Sequence, residues 1–330
     1  MISRCWKGVV VALVLLVAIP VESKSAEVKL GLPLQQQRDA FFESLTNSTE
    51  LQAAGIQIIA THYLNDKEVL DATTEGSIDV GLFALSAFDQ VRFDGLRLYT
   101  TFTRPFFFRN GADLFAIQDT ALGDAVLSDL RRAQLFPLRF WNRGLSQIVA
   151  RQPISSVQDF YRLKVVDRKS DATNTSALES LGAETTFDSE VSVSSTLSFG
   201  PVKKAAVLDP EEREGLAGVR GQLYSTEFEP IVGILAASES YWKQLSERQK
   251  QAWKHALEDA AARSRDQIRT SELTARQQLK IQSVQLTSGK RREIIAIMSK
   301  ALDGSKIHKD LLTVEEARAQ VSVGEQKKKN

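Results

Sequence analysis

The sequence predicts an α/β protein in two lobes, and three observations predict it. Apolar strands alternate with capped helices from residue 28 to residue 85. A capping box at Ser246 opens a helix much longer than the others. The chain has 330 residues, enough beyond its apolar leader for two lobes with cores of their own.

The leader comes first. Arg4 and Lys7 precede Gly8–Ile19, an uncharged apolar run, and Ser23 and Ser25 place small residues at both recognition positions for cleavage after Ser25. A membrane-spanning helix needs roughly 20 apolar residues, and this run is shorter. Cys5 precedes the run, so it is not the lipidated residue of a lipoprotein. Residues 1–25 are therefore expected to be a signal peptide, and the mature chain to be soluble in the periplasm. Its removal takes Arg4, Lys7, Lys24 and Glu22, which changes 42 basic and 41 acidic residues to 39 and 40, a net charge of −1. That balance gives no pull toward nucleic acid or anionic lipid. Cys5 is the single cysteine and leaves with the leader, so no disulfide or catalytic thiolate is expected.

In order, Val28–Leu32 reads as a strand and Arg38–Leu45 as a helix with Phe41, Phe42 and Leu45 on one side. Ile56–Ala60 is a second strand. Asn65 and Glu68 form a capping box, and Gly76 closes that helix as a left-handed cap. Ile78–Leu85 is a nearly continuous apolar strand. Pro105 and Phe106–Phe108 break the pattern, and a single helix is expected over 112–133. Phe136–Trp141 and Gln147–Ala150 read as two strands joined by a turn. Pro153–Asp159 leads into a short helix, Leu163–Val166 is a strand, and Ser170 or Asp171 caps a helix closed by Gly182. Residues 189–198 are Ser-rich and weakly patterned, and 203–221 read as a charged surface excursion. Ile231–Ala237 is a strand. The helix from Ser246 to about Lys280 buries Trp253, Ala256, Leu257, Ala260 and Ile268. Gln282–Leu286 and Lys290–Leu302 give a strand and a helix, the helix with Ile294, Ile297, Met298 and Ala301 inward. The tail ends in three lysines and reads as disordered.

Residues for chemistry are scarce. His62, His255 and His308 have no metal-ligand spacing. Asp66, Asp71 and Asp79 lack a calcium-loop pattern, and Asp66 fits a first-turn helix acid. No nucleophile elbow, dinucleotide fingerprint or phosphate loop occurs. Arg131–Arg132 and Arg291–Arg292 are short basic pairs without interleaved aromatics. No enzymatic activity, cofactor or metal is expected.

Several segments, in order, resemble the periplasmic solute receptors of TRAP transporters, the DctP type. They are Gly76-Ser77-Ile78-Asp79, Pro105-Phe106-Phe107-Phe108, Trp141-Asn142-Arg143-Gly144, Pro153-Ile154, Asp159–Val165, Leu181-Gly182-Ala183 and Trp242–Gln249. Together they span most of 27–303. The resemblance implies a two-lobe periplasmic-binding-protein fold with a long hinge-spanning helix. It implies a small molecule held between the lobes and handed to TRAP-type permease subunits, with the receptor a monomer. The expected lobes are 26–141 with about 228–265, and 142–227 with about 266–305, followed by a polar, partly disordered extension over 306–330.

The family places two arginines where this chain has Ser146 and Val166. In the family those guanidiniums hold a substrate carboxylate bidentately. Arg143 and Arg168 stand near the vacated positions, and Arg168 keeps the face of Val166 if the strand continues. The family's later Gly-x-x-Asp-Gly segment is blurred around 200–210. The expected ligand lining is Ser86, Phe88, Arg143, Ser146, Val166, Arg168 and Phe187. An alternative on the same fold is a binding module or scaffold without a transport partner.

Overall fold

The computed structural model describes residues 26–34, 39–91, 93, 95–167, 172–187, 202–204, 214, 216–217, 219–301 and 304–329. The expected signal peptide, Arg168 and the Ser-rich stretch lie outside them.

The first lobe builds as the alternation predicts. Strand β1 (Ala26–Pro33) is followed by helices α1 (Ala40–Thr46) and α2 (Thr49–Ala53), strand β2 (Ile56–Tyr63), helix α3 (Asp66–Thr74) and strand β3 (Val80–Ala84). β1 lies between β2 and β3 and is parallel to both. Asn65 caps α3 by accepting the Glu68 N–H, and the Glu68 carboxylate accepts the Leu64 N–H. Gly76 takes φ +74°, the left-handed conformation expected of it. Asp79 fastens the start of β3. Its carboxylate accepts the Lys29 N–H at 2.8 Å and its carbonyl accepts the Ser238 N–H at 2.9 Å.

The next segment departs from expectation. In place of one helix over 112–133, α4 (Gly111–Gln118) and α5 (Ala121–Leu130) are separated by Asp119 and Thr120. The Thr120 hydroxyl caps α5 by accepting the Leu122 N–H. Gly123 lies so close to the Gln118 carbonyl that any Cβ there would collide with it.

The two expected strands with an intervening turn are instead one strand, β4 (Leu135–Ala150). Gly144 has φ +87°, and the pairing slips between Asn142 and Leu145 and between Leu145 and Gln147. Bulges re-aim the strand and let it continue. Its partner β8 (Leu223–Ser238) is also 16 residues long. Both run through the expected lobe boundaries at 141/142 and 227/228.

Beyond them come β5 (Lys164–Asp167), α6 (Ala172–Ser180), β6 (Glu184–Phe187) and β7 (Val202–Lys204). The expected surface excursion over 203–221 thus begins inside a strand, and its Leu216 is buried against Val149, Leu223, Ala275 and Ile281. The sheet order is β2-β1-β3-β8-β4-β7-β5-β6, with β9 (Ile281–Val284) parallel to the far end of β8. The first lobe extends from one edge of the β4–β8 ribbon and the second from the other.

Four more helices complete the chain: α7 (Glu239–Gln244), α8 (Glu247–Leu279), α9 (Ser288–Ala301) and α10 (Gly304–Lys329). α8 has 33 residues, its Ser246–Gln249 capping box is present, and Lys280 ends it in the left-handed conformation. Trp253, Ala256, Leu257 and Ala260 pack on the first lobe, and Ala275 on the second. On α9 the buried side chains are Ile294, Ile295 and Met298, with Ile297 only partly covered. Where a polar, partly disordered extension was expected over 306–330, the structure has the helix α10. Leu311, Val314 and Ala317 recur every third residue and are buried, an amphipathic stripe hidden among charges. Among the described residues no helix is long and apolar enough to cross a membrane.

Candidate functional site

The strand directions place the site. β3 runs antiparallel to β8, pairing Val80 with Ala237 and Ala84 with Gly233, so it advances toward the second lobe. β7 pairs Val202 with Val149 and Lys204 with Gln147, so it advances toward the first, and β5 and β6 run parallel to it. The C-terminal ends of both parallel sets therefore face each other across the ribbon. Open α/β sheets bind ligands at such ends.

Ser86 is exposed in the short turn of helix after β3. Phe88 is not available as lining. It is 2% exposed, and its ring lies 5.4 to 5.9 Å from those of Phe83, Phe93 and Tyr99, so it belongs to the core. Arg143 is half-buried on β4 beside the Asp39 carboxylate. Ser146 is fully buried, on the strand rather than in a turn, and its hydroxyl accepts the Glu229 N–H at 3.3 Å. Val166 is half-buried on β5, opposite Thr186 and Val202. Phe187 is 57% exposed at the end of β6, opposite Asp167. Val166 and Phe187 thus share the end of the second-lobe sheet.

Sequence reasoning missed Asp39 and Trp141. Asp39 caps α1 by accepting the Phe42 N–H at 2.9 Å, and its other oxygen accepts the Trp141 Nε1–H at 2.7 Å. Burial pushes its pKa up, against these donors and nearby Arg143. An Asp between a strand and the Phe41–Phe42 pair was a readable cap signal. Asp66 closes the same end of the lobe, accepting the Ala84 N–H at 2.7 Å.

Behind the ribbon, α8 meets β4 and β8 in a buried polar cluster. Arg276 Nη2 donates to Glu227 at 2.6 Å and to Glu272 at 2.9 Å, and Nη1 donates to the Ser225 hydroxyl at 2.7 Å. Gln147 Nε2 donates to Glu272 at 3.3 Å. Burial, and then the Glu272 charge, push the Glu227 pKa up to about 8 although Arg276 opposes them. A cavity of about 580 Å³ opens beside this cluster, lined by Phe115, Glu227, Arg265, Ile268, Glu272 and Arg276 among others. None of the six expected ligand residues that are described lines it.

The triple-phenylalanine element is structural. Phe106, Phe107 and Phe108 are fully buried, and the Phe106 N–H bonds the Phe228 carbonyl at 2.6 Å. Arg291 donates to the Phe106 and Phe108 carbonyls, and Arg318 to that of Phe107. Among the described residues no group of three His, Cys, Asp or Glu side chains is placed to hold a metal.

The model of the bacterial extracellular solute-binding protein family 7, DctP, matches residues 59–307, about three quarters of the chain. The chain belongs to that family. Among its relatives, a solute-binding protein of Chromohalobacter salexigens is 23% identical over 200 residues, 60% of this chain and 58% of that protein. The C4-dicarboxylate-binding periplasmic protein DctP of Rhodobacter capsulatus is 26% identical over 127 residues, 38% of this chain and 37% of that protein. The matched stretches thus cover less than two thirds of these relatives. Solved structures extend the fold over nearly the whole DctP-type chain. The ectoine-binding protein TeaA of the TeaABC TRAP transporter superposes with a TM-score of 0.75 at 15% identity, over 90% of this chain and all of that one. A TRAP periplasmic solute-binding protein of Ochrobactrum anthropi gives 0.73 at 16%, over 92% and 97%. One of Shewanella oneidensis with bound succinate gives 0.67 at 17%, over 89% and 98%. The two-lobe α/β fold of this DctP-family chain is that of the TRAP solute receptors.

Proposed function

We propose that this chain is an extracytoplasmic receptor that captures a small organic solute between its lobes and delivers it to a TRAP-type permease. The observation that carries the reading is the meeting of both sets of parallel strand ends across two long crossing strands, in a chain of family 7. Lobe closure over the solute is the signal of occupancy that a permease can read. The chain acts in the periplasm as a monomer after loss of residues 1–25, and it performs no chemistry on its solute. The first lobe comprises 26–141 with about 228–265, and the second 142–227 with about 266–305.

Relatives of this fold bind succinate, D-glucuronate or ectoine. Here Ser146 and Val166 replace the two arginines that would grip a carboxylate, so Arg143, near Asp39, and Arg168 take over the anchoring of any anionic group. Ser86, Val166 and Phe187 contribute the remaining contacts. The solute is therefore held by these two guanidiniums and by shape.

Thermal unfolding with succinate, D-glucuronate and ectoine as probes, followed by calorimetry, tests this. A solute at one hundred times its Kd stabilises by about 2.7 kcal/mol, a rise in Tm of roughly 4 °C for a chain of this size. Loss of more than about 2 kcal/mol of binding in Arg168→Ala supports its role, and unchanged affinity removes it from the site. A second reading, a binding module or scaffold without a permease, draws on Ser146, which is buried with its hydroxyl committed to the strand. Absence of any shift with organic acids, sugar acids and zwitterions would favour that reading.

A further inference from the structure

Among the described residues, β4, β8 and α8 cross from one lobe to the other. All three meet in the cluster of Gln147, Glu227, Glu272 and Arg276. Gln147 and Glu227 are cross-strand partners, so their side chains are neighbours on one face of the ribbon. Gln147 is 1% exposed and Glu227 5% exposed. The Gln147 amide nitrogen is used on Glu272, but its oxygen is buried with no donor. A buried acceptor left unpaired costs free energy comparable to a lost hydrogen bond. The same cluster asks one guanidinium to serve two carboxylates. Glu227 and Glu272 share one directly bonded cation, and a proton on Glu227 removes their mutual repulsion; the charge of Arg291, which bonds only carbonyls, favours the ionised form without contacting it.

We propose that Glu227 and Gln147 form a proton-binding site in the hinge, and that its occupancy sets how β4, β8 and α8 hold the two lobes together. With the proton on Glu227, its O–H donates to Gln147 Oε1, and Arg276 pairs in full with Glu272. Gln147, Glu227, Glu272 and Arg276 are then neutral together, and each has a partner. When the proton leaves, Glu227 and Glu272 repel each other across Arg276. The Gln147–Glu272 contact, which ties α8 to β4, is the longest and the first to yield.

The other charges around the site are Arg265, Asp266 and Arg269 of α8, and Arg291 of α9. Arg265 is engaged by Asp119, Arg269 by Asp266, and Arg291 by the Phe106 and Phe108 carbonyls. Ser283 and Gln285, at the end of β9, face the cavity uncharged. That cavity gives the proton its route from solvent. The raised pKa of Glu227, about 8, agrees with this arrangement.

The test uses the ligand-free chain, so its outcome is independent of solute binding. Spin labels are placed at the exposed sites Thr61→Cys and Glu184→Cys, one per lobe, with Cys5→Ser in the background. Interlobe distances measured at about pH 6 and about pH 9 should differ, with a midpoint near the folded-state value of about 8. Glu227→Gln, a neutral isostere, should hold the low-pH distances at both. Gln147→Leu, which removes the acceptor, should move the midpoint downward. Urea unfolding adds a second readout. A group whose pKa rises on folding contributes stability at low pH that is lost as pH rises from about 4.5 through about 8. Glu227→Gln should flatten that slope. Identical distances at both pH values in the parent, or a change that persists in Glu227→Gln, would overturn the proposal even if the unfolding slope behaves as expected.

Discussion

Replacing Arg318 by Ala tests whether α10 is part of the folded body. Arg318 Nε and Nη2 donate to the two oxygens of Asp113 at 2.9 and 2.8 Å, and Nη2 also reaches the Phe107 carbonyl at 2.9 Å. The Asp113 side chain is 3% exposed and that of Arg318 11%. Breaking a buried ion pair from one side costs about 3–5 kcal/mol when the remaining charge is abandoned. Asp113 is not wholly abandoned, because Arg109 also donates to it. The lost carbonyl bond adds about 1 kcal/mol. The expected loss is therefore about 2–3 kcal/mol, or roughly 3–5 °C in Tm for a chain of this length. Urea unfolding and calorimetry at neutral pH measure it. Leu312→Ala, on the half-exposed face of the same helix, is the control and should change stability by less than about 0.5 kcal/mol. An Arg318→Ala variant as stable as the parent would refute the buried pairing.

Two further outcomes follow from packing and charge. Gly233→Ala places a Cβ 2.5 Å from the Trp141 ring and 2.7 Å from the Phe83 carbonyl, where β3, β8 and β4 lie side by side. Overpacking of this kind should cost about 1–3 kcal/mol in urea unfolding, and a neutral result would contradict the strand pairing. Burial alone would raise the Asp113 pKa, but hydrogen bonds from Arg318 and Arg109 outweigh it and hold the carboxyl below its ordinary value of 3.8. Its stability contribution is therefore present above pH 3.8 and is lost as pH falls through the depressed folded-state value. Asp113→Asn should flatten the acid limb of the stability curve, and an unchanged limb would count against the pairing.

Local signals were the legible part of the fold. Ser246 with Gln249 at one end, and apolar residues at helical spacing behind them, located α8 to within a residue. Asn65 and Gly76 marked α3 in the same way. What was not legible required the third dimension. Arg143–Gly144 reads as a turn because glycine in the left-handed conformation marks turns and bulges alike; only pairing with β8 tells them apart. The break between α4 and α5 rests on close approach of Gly123 to a carbonyl, which no periodicity reveals. The last segment was read by its terminal lysines, although Leu311, Val314 and Ala317 upstream recur at core spacing. At the site, Phe88 went into the core because apolar residues after a strand serve packing as readily as binding. The Glu227–Arg276 pair joins residues 49 apart in sequence, and neither carries a motif.

The central claim is that a small organic solute occupies the space between the lobes. Native mass spectrometry of the chain, isolated from the periplasm without dialysis and compared with the same sample after unfolding and refolding, tests it most directly. A mass excess of one small molecule in the first sample and its absence from the second is the expected result. Bare polypeptide mass in both, together with no uptake from a mixed pool of organic acids, sugar acids and zwitterions, would contradict it.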